Sequence, residues 1–201
     1  MSTLAQRPVL SDLIWNAEGN QVWLKRAVLV LLGVAALAIA AKIKFPVWPS
    51  PVPVTLGTFA VLSIGAAYGP RLGLATIFGY MLIGALGFDV FANSSAEKNG
   101  IAYMLGGSGG YLLGYVLAAA ALGYAARAGW DRSVLRMAGA MLIGNALIYV
   151  PGLIWLHQFT SGLSQTFAWG LTPFLIGDGL KLLLAALLLP GLWKLVGNAR
   201  T

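Results

Sequence analysis

The chain has 201 residues, of which 59% are apolar and 9% charged, with mean hydropathy +0.81. An average soluble domain carries roughly 25% charged residues, so a water-soluble globule is excluded, and the hydrophobicity excludes a disordered chain. With no cysteine, a single histidine (His157) and a formal charge of +7, disulfide frameworks, thiolate chemistry and cysteine-based metal sites are excluded as well, and no metal or cofactor is expected.

The class that remains is an integral membrane protein. Residues 1–23 form an N-terminal segment whose Leu10, Leu13, Ile14, Trp15 and Trp23 suit a short interfacial stretch. Lys25-Arg26, an apolar run and Ala-x-Ala spacing resemble a signal peptide. The leading segment is long and contains Asp12 and Glu18, so a retained first helix is expected. Six apolar stretches are candidate spans of about 30 Å of hydrocarbon: 24–41, 56–68, 72–88, 101–127, 135–156 and 171–189, the second being short and beginning inside the proline-rich run before it. The expected architecture is an all-α, polytopic bundle of six transmembrane helices within 24–196, one membrane domain over 1–201.

Lysine and arginine in the connections set the orientation. Arg7, Lys25, Arg26, Arg71, Arg127, Arg132, Arg136, Lys194 and Arg200 fall on one side, whereas Lys42, Lys44 and Lys98 fall on the other and Lys181 lies inside the sixth helix. Both termini are therefore expected in the cytoplasm. The basic balance reports topology, and a nucleic-acid partner is not expected.

The outer connections hold the unusual chemistry. Pro46, Pro49, Pro51 and Pro53 forbid helix and favour a stiff extended segment, either a lid over a cavity or a spacer. Residues 91–99 are the most polar stretch, and Asn93 offers both a donor and an acceptor beside the membrane. Gly106-Gly107-Ser108-Gly109-Gly110-Tyr111, read as the opening of the fourth helix, permits close approach of a ligand or of a neighbouring helix.

The sixth helix carries the sharpest signal. Thr172-Pro173 reads as N-cap and first helical residue, with Asp178 about 9 Å deeper. Lys181 follows at i+3 on the same face, with Phe174 one turn above and Gly177 and Gly179 clearing space. Ionisable groups inside a span cost about 2.5–3.5 kcal/mol each on insertion scales and usually face a cavity. The pair either contacts a ligand or neutralises itself for insertion. With Asn93 and the aromatic residues Phe91, Tyr103, Tyr149 and Trp155 it suits a small amphipathic molecule.

Four segments in order, Pro51-Val52-Pro53-Val54-Thr55-Leu56, Gly69-Pro70-Arg71-Leu72-Gly73, Gly106–Gly114 and Pro173–Lys181 with its Gly-Asp-x-x-Lys pattern, resemble the BioY family. These are the biotin-specific S-components of energy-coupling factor (ECF) transporters. Gly57 and Gly107-Ser108 depart from the residues common there. The resemblance implies a six-helix substrate-binding subunit, with Asp178, Lys181 and Asn93 contacting biotin and the proline-rich segment as a mobile loop. It also implies coupling to an EcfT-type transmembrane subunit and two ABC ATPases, since the chain has no Walker A pattern of its own. Ala36 and Ala40, with Gly33 on one face of the first helix, are the implied docking stripe; packing within the chain is the alternative.

Other readings compete. Gly106-Gly107-Ser108-Gly109 fits the Gly-x-Ser-Gly of rhomboid intramembrane proteases, with Ser108 as nucleophile and His157 as base. However, His157 ends the fifth helix near the membrane surface, away from the last helix where that base belongs. A purely structural membrane protein and an S-component for another vitamin complete the alternatives.

Overall fold

The computed structural model describes residues 7–14, 18–46, 48, 50, 53–95 and 97–198. Trp15, Val47, Pro49, Pro51, Val52 and Arg200, on which parts of the reading above fall, lie outside the described residues. A short α1 (Leu10–Ile14) precedes α2 (Gln21–Lys42). Two-residue strands β1 (Lys44–Phe45) and β2 (Val54–Thr55) follow, then α3 (Gly57–Ala85), α4 (Gly100–Met104), α5 (Gly109–Arg127), α6 (Val134–Leu156), α7 (Leu163–Gly170) and α8 (Leu175–Asn198).

Five helices are long and apolar enough to cross a membrane, and α3 is two helices in one. Gly69 has φ 75° and ψ 178°, outside helical values and natural only for glycine, and Pro70 then restarts the helix. A Cβ on Gly73 would lie 3.3 Å from the Cα of Gly65, whereas positions eight apart in an unbroken helix are about 12 Å from each other. The chain therefore reverses at Gly69, and the arms 57–68 and 70–85 pack antiparallel through glycine. This is a polytopic helical membrane protein with six spanning runs.

What is buried and what is exposed fits a lipid surround. Along α8, Ile176, Leu180, Leu183, Leu184 and Leu187 are exposed, while Ala185, Ala186 and Leu189 are buried. Large apolar residues face out, and small ones let the helices meet. Gly114 packs on the backbone of Ile148, and Gly123 packs on Pro70. These glycines seat α5 between α6 and the α3 reversal, at the centre of the bundle.

Several boundaries differ from the sequence reading. The fourth span begins at Gly109, because Leu105–Ser108 is a turn that separates α4 from α5. Gly109 and Gly110 lie against Trp155 and Pro151, so their smallness serves helix packing. The connection between the fifth and sixth expected spans contains α7. Thr172 is not an N-cap: Thr172–Phe174 is a 3-10 turn, and α8 starts at Leu175 and continues through Pro190 to Asn198. Gly177 admits Val54 of β2, whereas nothing lies within 4 Å of a Cβ placed on Gly179. Finally, the α2 stripe divides. Gly33 is buried against Thr76 and Tyr68, whereas Ala36 is exposed and Ala40 half-buried.

The end of the bundle holding the Gly69 reversal is closed by the N-terminal segment. Val9 is fully buried. Arg127 bonds Asp12 Oδ2 at 2.7 Å and the carbonyl of Arg7 at 3.1 Å. Arg132 donates to the carbonyl of Pro8 and stacks over Trp193. Trp193 donates to buried Asp131 Oδ2 at 2.6 Å. The other Asp131 oxygen has no partner among the described residues, and burial pushes this carboxyl above its usual range against the opposing Trp193 N–H and Arg132 charge.

Candidate functional site

At the opposite end, α3, α5, α6 and α8 surround a cavity with about 730 Å³ of space between its atoms, open mouth included. One wall is charged. Lys181 Nζ lies 2.9 Å from Asp178 Oδ1, both on the inner face of α8, with side chains only 12% and 7% exposed. Lys181 also donates to Thr58 Oγ1 at 3.1 Å, and Thr58 donates to Asp178 Oδ1 at 3.4 Å. The Tyr149 hydroxyl of α6 donates to Asp178 Oδ2. The pair is thus partnered from two other helices, as buried charge requires.

The facing wall is aromatic. Phe91 stacks on Tyr103 with ring centres 4.9 Å apart and meets Tyr80 edge-on at 5.3 Å. Asn93 lies beside them, its backbone N–H 3.4 Å from the Tyr103 hydroxyl. Tyr111 and Tyr149 cross edge to face at 6.4 Å, and the Tyr111 hydroxyl donates to the carbonyl of Gly170. The arrangement offers cation and carboxylate at one side, an amide at another and flat apolar surface between.

The rim is stitched together by lysines. β1 and β2 pair Lys44 with Thr55 and Phe45 with Val54, forming the base of the proline-rich strap, whose Pro53 and Thr55 line the cavity. Ser50 donates to the carbonyl of Trp169 at 2.7 Å. Lys42 pairs with Asp89 at 2.5 Å and reaches Ser94, and Lys44 reaches the carbonyl of Ala92. The Lys42 ammonium and then the Ser94 hydroxyl hold the Asp89 carboxyl below the usual carboxylate range.

Asp178, Lys181, Asn93, Phe91, Tyr103 and Tyr149 all line this one cavity. Trp155 does not: its indole donates to the carbonyl of Gly106 at 2.8 Å. Ser108 lines the cavity, but His157 bonds Thr166 Oγ1 at 2.9 Å, so the serine and histidine of the protease reading are not joined. Sequence reasoning missed Thr58, Tyr111 and Tyr115. Thr58 had a faint signal, a hydroxyl at the start of a helix just after the strap. Tyr115 falls within an apolar run and carries none, whereas Tyr111 closes the glycine-rich motif without being marked there as a contact.

A family model described as BioY family matches residues 11–198. The chain belongs to the BioY family. A probable biotin transporter BioY of Pyrococcus horikoshii is 37% identical over 157 residues, 78% of this chain and 89% of the relative. The biotin transporter BioY of Thermotoga maritima is 32% identical over 161 residues, 80% of this chain and 91% of the relative. A crystal structure of the S-component for biotin from an ECF-type ABC transporter matches with TM-score 0.75 and 23% identity, covering 89% of this chain and 95% of that one. At that identity the match speaks for the fold alone. Membership in BioY places the chain among multi-pass membrane transporters.

Proposed function

We propose that this BioY chain binds biotin in the cavity described above and serves as the substrate-specific subunit of an ECF-type uptake system. The carrying observation is the buried Asp178–Lys181 pair beside an aromatic wall. An ammonium has three donors, and Lys181 uses two, on Asp178 and Thr58. The third serves the valerate carboxylate of biotin. The ureido group, a planar donor and acceptor, meets Asp178 and Asn93, and the fused rings lie against Phe91, Tyr103 and Tyr149. The names of the relatives support the choice of ligand.

The same reading places the protein in the cytoplasmic membrane with both termini inside, since the Gly69 end carries most of the arginine and lysine. An EcfT-type transmembrane subunit and two ABC ATPases supply the energy, and exposed Ala36 with neighbouring Ala40 forms the docking stripe for the former. The deciding experiment is radiolabelled biotin binding to the purified chain without partners, alongside mass spectrometry of any ligand retained through purification. Saturable binding of one biotin per chain is expected. Absence of saturable binding, or retention of a different vitamin that biotin cannot displace, overturns the assignment.

A further inference from the structure

A second chamber adjoins the cavity, between the α4–α5 turn and the α6–α7 region, with about 710 Å³ of space, its mouth included. Asn93, Tyr103 and Ser108 belong to both chambers, so one layer of side chains divides them. The outer walls are Leu156, Phe159 and Trp169, with Gly106 and Gly107 as the floor. Its charged group is Lys98.

Lys98 differs from the other lysines at this end. Lys42 is paired with Asp89, Lys44 with a carbonyl and Lys181 with Asp178, whereas the Lys98 ammonium has no hydrogen bond or ion pair among the described residues. Its stem crosses the glycine turn: a Cβ on Gly106 would lie 3.8 Å from Lys98 Cε. Glu97 beside it is exposed and lines neither chamber. Ser50 donates to the carbonyl of Trp169, and Trp169 is itself a wall of the second chamber.

We propose that this chamber is the entrance vestibule, where an amphipathic carboxylate is first captured by Lys98 and then passes the Asn93–Tyr103–Ser108 layer into the main cavity. The inference rests on the reading of that cavity as a biotin site. A rim cation raises the local concentration of an anion and acts on the association rate more than on dissociation. The apolar walls hold the uncharged part of the molecule while the carboxylate is held at Lys98.

The test is stopped-flow biotin binding to the purified full-length chain. Lys98→Glu is expected to slow association about fivefold at low ionic strength with dissociation unchanged. The difference should vanish near 1 M salt, where the Debye length is about 3 Å. Gly107→Leu narrows the vestibule against Leu156, whose methyl would lie 3.3 Å from the new Cβ, and touches no wall of the main cavity. It is expected to slow association and dissociation by the same factor, leaving Kd unchanged. Wild-type association rates in both variants, or an effect confined to dissociation, overturn the vestibule while leaving the biotin site standing. Failure of the wild-type chain to bind biotin overturns both.

Discussion

Lys181 on α8 reaches across to Thr58 on the first arm of α3, with 3.1 Å between Nζ and Oγ1. The ammonium therefore joins the last helix to the one that follows the strap, and its charge is not confined to its own helical turn. Removing either end of a buried charge-assisted bond costs about 1.5–3 kcal/mol, or roughly 10- to 150-fold in affinity. Lys181→Ala and Asp178→Asn are each expected to weaken biotin binding by that factor, and Thr58→Val by about tenfold or less. Titration of the purified variants checks this, and wild-type affinity in both charge variants would refute the site.

Phe91 is fully buried between Tyr80 and Tyr103, and it holds the polar loop that carries Asn93. Phe91→Ala is expected to destabilise the protein by about 3–5 kcal/mol. Gly84→Ala drives its new methyl into the same ring, since all three nearest atoms to a Cβ there belong to Phe91. Both variants should lower the thermal midpoint in detergent, and an unchanged midpoint in either would contradict this packing.

Two aspartates outside the spans give opposite pH signatures. Asp89 has a lowered native pKa because of Lys42 and Ser94. The stability it contributes is present above the ordinary carboxylate value, about 3.9, and is lost as pH falls through the native value. Asp89→Asn should therefore melt slightly below wild type at pH 7 and level with it in strong acid. Asp131 has a raised native pKa from burial, so wild-type stability falls as pH rises from the ordinary value through the raised one. Asp131→Asn, which still accepts from Trp193, should gain on wild type across that interval. Melting curves over pH read both signs, and parallel curves would reject them.

On α2, Ala36 is exposed and Ala40 half-buried. The double change to arginine is expected to leave biotin affinity within about twofold of wild type and to abolish co-purification of the coupling subunit. Undiminished co-purification would remove the stripe from the docking surface.

Much of this was legible in the sequence because the membrane simplifies the reading. Six apolar runs, an Asp–Lys pair one turn apart and the Gly69-Pro70 break all follow from composition and spacing, and the pair does line a cavity. What spacing could not reveal was partnership across helices. Thr58 and Tyr149 reach Asp178 from other helices, 120 and 29 positions away in the chain, and nothing local marks a threonine or tyrosine as the partner of so distant a charge. Gly33 shows the same limit. It shares a helical face with Ala36 by period, yet the antiparallel arms of α3 claim it and leave Ala36 outside. The helix starts were misplaced where proline and glycine cluster, because Thr172-Pro173 and Gly106–Ser108 are tight turns that precede helices without joining them.

The reversal at Gly69 uses no linker at all. Two helices in contact within four residues of their junction behave as a bent lever with a single fulcrum. The arm bearing Thr58 and the arm that leads into residues 86–99, with Asp89 and Asn93, thus share one junction. Thr58 and Asn93, both lining the cavity, are joined along the chain through a hairpin whose bend lies at the other end of the bundle.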